Sequence, residues 1–464
     1  MTVYETIGQV REALSGILKI DGDRVEVIDE GKLRSRLIDE LIFSAVFSAD
    51  SDVCAACRWL IRQTGAAVGA YVASIQSLYE AMGRKEVGGF TVPAINIRTL
   101  TYETAQAVLR AAFKGRVGPV IFEIARSEIG YTLQRPAEYT SAIVAAAIKT
   151  GYRGPLFIQG DHFQLNAKKF AEDAEKETQA VKDLIWEALD AGFYNIDIDS
   201  STLVDLSRPT IKEQQDLNYT LAAELTAMIR DLEPEGITVS VGGEIGEVGG
   251  KNSTVEELRA FMDGYHEELK KNGEELKGIS KISVQTGTTH GGVPLPDGTV
   301  AKVKIDFDTL EKLSETARAE YGLAGAVQHG ASTLPDEAFD QFPARGTAEV
   351  HLATGFQNIV CESEAFPPEL REKIYRFIRE EHADEKKDSD TEEQFLYKTR
   401  KKGLGPFKRE LWTLPEERMR TIMGELENQF AFLFAKLGVN DTDSVLTKYV
   451  SPVNVSLPCP EQLK

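Results

Sequence analysis

Pro155-Leu-Phe-Ile-Gln-Gly-Asp-His162, a helical pattern within Lys168–Ala191, and then Tyr194-Asn-Ile-Asp-Ile-Asp-Ser200 make one repeating unit. It reads as strand, helix, strand. The strands are short and apolar, as in a parallel sheet buried on both faces. The same unit recurs toward the N-terminus. Val117–Ala125 (VGPVIFEIA) precedes a helix from Pro136 to Thr150, and Phe90–Ile97 (FTVPAINI) precedes one from Thr101 to Lys114. It also recurs toward the C-terminus. Strand 4, Tyr194–Ser200, leads to a helix from Thr210 to Asp231. Thr238–Gly246, Ile282–Gly291, Leu323–Ser332 and Glu349–Thr354 supply strands 5 to 8, with helices following. Eight strand–helix units over about 280 residues predict an α/β chain folded as a (β/α)8 TIM barrel, in preference to an open doubly wound sheet.

The barrel is expected over residues 89–378. Residues 1–88 read as an N-terminal helical extension, with apolar spacings of three and four over Arg34–Phe47 and Cys57–Met82, ended by Gly83 and Gly88-Gly89. Residues 379–464 read as a C-terminal helical segment and tail packed on the barrel. It opens on the charge run Arg379–Glu393, a solvated helix end or loop, and continues through Trp412, Leu414, Met419, Ile422, Leu426 and Phe430.

The 464 residues carry 53 Lys+Arg against 73 Asp+Glu, a formal charge of −20. That field opposes nucleic acid and anionic membrane surfaces, but leaves a small anionic ligand open. No run approaches the roughly 18 apolar residues of a spanning helix, and the N-terminus lacks a secretory pattern; a cytoplasmic protein is the expectation. The four cysteines do not form a disulfide framework. Cys54 and Cys57 have the spacing of half a zinc site but read as small helix residues.

Six histidines are present. His266 and His382 lie in charged stretches and are expected at the surface. His162, His290 and His329 fall at the ends of strands 3, 6 and 7, each beside glycine, where barrels place their active sites. Three imidazoles converging on one mouth are the ligand set of a catalytic metal with an open position. Asp161 precedes His162, and both reach the same space only if the strand end twists. Glu244 ends strand 5. Asp197 and Asp199 share one face of strand 4 by their period of two. Small residues after strands 6 to 8, including Gly291, Gly330, Ser332 and Thr354, make a backbone nest suited to phosphate. The segment Glu247–Ser253 reads as a mobile lid.

In these motifs the sequence resembles the zinc-dependent class II aldolases, the fructose-bisphosphate and tagatose-bisphosphate aldolase family, from about Ser74 to Val439. The match rests on Val92-Pro-Ala-Ile-Asn96, Gly160-Asp-His162, Glu244-Ile-Gly246 with Gly249-Gly250, His290-Gly291, His329-Gly330 with Ser332, and Gly405-Pro-Phe-Lys-Arg-Glu-Leu-Trp412. The resemblance implies that His162, His290 and His329 hold one catalytic Zn2+, with Glu244 a carboxylate that can also take the metal. It implies Asp161 as the acid–base residue and Asn96 at the mouth of strand 1. Gly291, Gly330, Ser332 and Thr354 would bind the phosphate, with a monovalent cation (Na+ or K+) nearby. It also implies a phosphorylated sugar as substrate and a homodimer or higher homo-oligomer. Zinc would polarise the ketone and stabilise the enediolate formed on carbon–carbon cleavage, so no Schiff-base lysine is needed.

This chain departs from the family pattern on strand 8, where His351 and Ala353 replace an Asn and an Asp. His351 either replaces the missing polar contact or packs inside the barrel. Lys251-Asn252 follows the lid's Gly-Gly, and Ala125 stands at the usual Ser after strand 2. Arg98 and Arg126 end strands 1 and 2, where they could meet an anionic group. The expectation is a metal-dependent aldolase reversibly cleaving a phosphorylated ketose into a dihydroxyacetone-phosphate-like ketone and an aldehyde. The alternatives are a non-catalytic aldolase-like subunit stabilising a partner and a metal-dependent sugar isomerase.

Overall fold

The computed structural model describes residues 2–246, 251–287, 305–453, 455 and 457–464. Eight parallel strands follow one another: β1 (Val92–Asn96), β2 (Ile121–Ala125), β3 (Gly154–Gln164), β4 (Asn195–Asp199), β5 (Ser240–Glu244), β6 (Lys281–Val284), β7 (Ala326–Gln328) and β8 (Glu349–Leu352). Each pairs with the next, and β8 returns to β1 with His351 opposite Ala94, so the sheet closes. Every residue of β1, β2 and β4 to β8 is buried, which is why these segments read as apolar runs. Helices cover the outside, among them Thr101–Gly115, Pro136–Thr150, Ala174–Ala191, Asp216–Leu232, Val255–Asn272 and Phe307–Tyr321. Local chemistry sets their ends. Thr254 and Glu257 form a reciprocal cap, at 3.2 and 2.8 Å, that starts Val255–Asn272.

The N-terminal extension is less helical than expected. Helices Ile7–Leu14, Ile38–Phe47 and Ser51–Val68 are present, but Leu18–Asp21 and Arg24–Val27 form an antiparallel hairpin. Its loop is Gly22-Asp23, preceded by Asp21, a turn signal masked by the helical periodicity on either side. Ala70–Ala73 is also a strand, not helix, and lies beside the first half of β3 from Ala70 opposite Gly154 to Ala73 opposite Phe157. Asn195, at the start of β4, seals this junction. Its side chain accepts from the Ile75 N–H at 2.9 Å and donates to the Ala73 and Ile158 carbonyls at 3.2 and 3.0 Å. Helix Gln76–Gly83 follows, and its Tyr79 is fully buried, with its hydroxyl donating to the Glu349 carboxylate at the first residue of β8.

The C-terminal segment runs through helices Glu392–Thr399, Lys408–Trp412 and Glu416–Lys436. Glu427 binds Arg110 at 2.7 Å and Lys114 at 2.6 Å on Thr101–Gly115. Trp412 packs against Phe43, Phe47 and Tyr102, with ring centroids 5.5, 5.6 and 6.3 Å away, so both terminal extensions meet on the barrel wall. Cys54 and Cys57 sit on helix Ser51–Val68 as free thiols. His266 and His382 are half-buried instead of exposed, because His266 packs on Tyr265 and Tyr321, and His382 on Phe377. Among the described residues, no helix is long and apolar enough to cross a membrane.

At the junction of extension and barrel, Asp39 accepts from the Tyr102 hydroxyl at 2.7 Å and from Lys149 at 2.6 Å. Beside it, burial and the charge of Asp39 push Glu103 up to about 7. A raised carboxyl pKa favours the folded state at low pH, and that contribution is lost as pH rises through about 7. Glu103→Gln should therefore raise Tm by about 2–4 °C at pH 8 and leave it unchanged at pH 5. Equal Tm values for the two proteins at pH 8, by differential scanning calorimetry, would contradict this reading.

Candidate active site

The site forms where β3 breaks register. Opposite β4, the pairing slips between Gly160 and Phe163, and His162 takes a left-handed φ of 42°. The slip resolves the geometric demand made by adjacent Asp161 and His162, which now both face the C-terminal mouth. They line a cavity of about 470 Å3 with His329, His351, Gly330, Ser332 and Thr354.

His162 Nδ1 lies 2.9 Å from Asp199 Oδ2 and 3.0 Å from Glu244 Oε2. Asp199 is fixed in turn by Gln164 at 2.5 Å and by the Ser201 hydroxyl at 2.7 Å. Burial opposes charge on His162, but Glu244 and Asp161, with the hydrogen bonds to Asp199 and Glu244, raise its pKa well above the usual range. Burial and the charge of Asp199 push Glu244 up to about 7. His329, one residue past β7, bonds Ser283 through Nε2 at 2.9 Å. The rings of His162, His329 and His351 stand in a row, with successive centroids 4.1 Å apart.

This donor set suits a divalent cation. Asp161, His162 and His329 each offer a ligand atom, all within 4.8 Å of one another; His162, Asp199 and Glu244 form a second such group. Carboxylates behind a ligating imidazole are the usual outer support of a metal site. A cation here would replace protons that the crowded carboxylates otherwise hold on His162 and Glu244.

The remaining residues named from sequence fall around this centre. Asn96 is buried and does not line the cavity. It stands behind Asp161, donating to Asp161 Oδ2 at 3.3 Å and to Glu128 Oε2 at 2.7 Å. Glu244 lies behind His162 in the same way. Gly330 has a φ of 68°, and Ser332 Oγ accepts from the Ala353 N–H at 2.6 Å. Thr354 opens helix Thr354–Glu362, and its hydroxyl is 3.3 Å from Arg98 Nη1. A helix N-terminus, small residues and an arginine together suit an anion. Asp197 binds Lys281 at 3.0 Å below the mouth. His290, Gly291 and Gly249-Gly250 of the segment expected to be a lid lie outside the described residues. Arg126 is tied to Glu177 at 2.5 Å, and Arg98 to Glu128 at 2.7 Å.

Sequence reasoning missed Glu123, Glu128, Lys169 and Lys401 on the cavity wall. Glu128 had a local signal: it accepts from the Ala125 N–H three residues back, at 2.8 Å, as a helix cap does. Lys401 had none. It comes from the C-terminal segment and reaches the mouth only because that segment folds over Tyr131, whose ring centroid is 5.6 Å away.

Solved structures at TM-scores above 0.5 share the fold. The glycerol-complexed fructuronate-tagaturonate epimerase UxaE from Cohnella laeviribosi is 14% identical, covering 92% of this chain and 90% of its own, with a TM-score of 0.54. A "probable tagatose 6 phosphate kinase" from Sinorhizobium meliloti 1021 is 19% identical over 77% of this chain and 99% of its own, with a TM-score of 0.53. Fructose-bisphosphate aldolase (Fba) from Campylobacter jejuni is 17% identical over 80% and 97%, with a TM-score of 0.46. Residues 76–420 match the model of the family described as fructose-bisphosphate aldolase class-II, a span that holds all eight strands and the mouth they build. The chain belongs to the class-II fructose-bisphosphate aldolase family.

Proposed function

We propose that the protein is a zinc-dependent aldolase that reversibly cleaves a phosphorylated ketose into a dihydroxyacetone-phosphate-like ketone and an aldehyde. The observation that carries this reading is the placing of His162, His329 and Asp161 side by side at the mouth, with ligand atoms all within 4.8 Å. Zn2+, when bound by His162, His329 and His290, supplies the Lewis acid that polarises the ketone and draws off charge from the departing carbon. Asp161 moves the proton. In cleavage it accepts the proton of the hydroxyl on the carbon that becomes the aldehyde, while the carbon–carbon electron pair stays with the ketone fragment. In condensation it returns that proton. Gly330, Ser332, Thr354 and Gly291 seat the phosphate, with Na+ or K+ beside it, and Arg98 adds fixed positive charge. A cytoplasmic homodimer or higher homo-oligomer completes the reading.

One observation favours a second reading, a metal-dependent isomerase or epimerase of an anionic sugar. Lys169 and Lys401 also line the cavity, so an anionic group other than the phosphate can also be met. The Cohnella laeviribosi neighbour is named for such a reaction. A panel of phosphorylated ketoses and sugar acids, scored for both aldehyde release and isomerised product, separates the readings; isomerised product without aldehyde rejects the aldolase.

Two outcomes follow for variants. Purified protein should hold about one zinc per chain, and His162→Ala or His329→Ala should lose it, as measured by plasma mass spectrometry. Full zinc in either variant would remove these residues from the ligand set. Asp161→Asn should keep the metal and lower kcat by about 10²–10⁴-fold, the range for a lost general acid–base. Turnover within a factor of a few of wild type would reject Asp161 as the proton carrier.

A further inference from the structure

On strand β8, the imidazole of His351 is buried among carboxylates that meet both of its nitrogens. Nδ1 lies 3.1 Å from Asp161 Oδ1 and 3.2 Å from Glu123 Oε2, and Nε2 lies 2.6 Å from Glu349 Oε1. A residue that merely filled the barrel would be apolar here, because burying an imidazole costs free energy unless its nitrogens are bonded. Glu349 is itself held rigidly. Lys281 Nζ sits 2.5 Å from its Oε1, Gln159 Nε2 sits 2.9 Å from the same oxygen, and the Tyr79 hydroxyl donates to its other oxygen. Lys281 also binds Gln159 at 2.8 Å and Asp197 at 3.0 Å. A continuous line of contacts therefore runs up the barrel, from Tyr79 on helix Gln76–Gly83 through Glu349 and His351 to Asp161 at the mouth.

We propose that His351 is the positioning residue of Asp161, transmitting the fixed geometry of the Lys281–Glu349 pair to the carboxylate that carries the proton. Two clamps then set that carboxylate: His351 on Oδ1 and Asn96 on Oδ2 at 3.3 Å. The clamps hold the carboxylate at the cavity beside His162, whose Nε2 is 3.8 Å from Asp161 Oδ1. His351 touches no reacting atom in this assignment. It acts as the orienting member of a hydrogen-bonded chain, in the manner of the carboxylate that aligns a catalytic imidazole, with the two residue types exchanged. The assignment rests on Asp161 as the proton carrier of the proposed reaction.

The test has two arms. In the first, Tm is measured for wild type, H351A, D161A and the double variant. Direct coupling predicts a double variant whose Tm loss falls short of the sum of the single losses by about 2 °C or more; additive losses would overturn the proposal whatever the protein's reaction. In the second, zinc content and steady-state kinetics are measured on whichever ketose the wild type turns over. H351A should keep its zinc and hold KM within about threefold, while kcat falls about 10–100-fold. Imidazole added to the buffer should restore part of the lost kcat, because the vacated space adjoins the cavity. A fall confined to KM, or no fall in kcat, would overturn the proposal. Absence of turnover in the wild type would reject the aldolase reading alone, and the Tm cycle would still decide the coupling.

Discussion

Lys281 and Glu349 meet at 2.5 Å in a barrel interior where both side chains are essentially without solvent. One ammonium and the carboxylates of Glu349 and Asp197 would each be costly there alone, so each requires the others. Such a group adds little net stability compared with apolar packing, but it fixes geometry, since any slip strands a buried charge. Residues from β2, β3, β4, β6 and β8 must keep their registers for Glu123, Gln159, Asp197, Lys281, Glu349 and His351 to be satisfied together. Burial opposes ionisation of Glu349, yet Lys281 and His351 hold its carboxyl below the usual range, while burial and Asp161 raise Glu123 well above it. The floor of the barrel is thus a fixed charge pattern, and the mouth is built on it.

The backbone does the rest at one point. A regular β3 would send Asp161 and His162 to opposite sides. The register slip and the left-handed His162 turn them the same way, at a local conformational cost of about 1–3 kcal/mol that the surrounding hydrogen bonds offset. Gly242 shows how little room remains: a Cβ there would come within 2.3 Å of Asp197 Oδ1. Positive charge at the mouth is equally local. The chain carries a formal −20, yet Arg98, Arg126, Lys169 and Lys401 line one cavity, so the anion recognition proposed for it rests on placement and not on the net field.

Much of this was legible in the sequence, for physical reasons. Strands buried on both faces leave short apolar runs, and so all eight barrel strands could be found, although strand 7 shrank from Leu323–Ser332 to Ala326–Gln328. The glycine-flanked His162 and His329 could be placed because mouth residues sit at strand ends. The hairpin before Ile38 was obscured because its four-residue strands carry too little pattern to stand against neighbouring helices. Lys401 was beyond reach, since its role depends on where a distant segment folds. His351 left an open choice in the sequence, because a histidine in a strand is ambiguous until the carboxylates around it are known.

In the proposed function His162 and His329 jointly hold a metal beside Asp161. That arrangement is tested most directly by anomalous scattering at the zinc edge from crystals grown with zinc. One strong peak is expected at the C-terminal mouth, within about 2.0–2.1 Å of a nitrogen of each imidazole. A mouth without a peak, or a peak bound to only one of the two histidines, would contradict it.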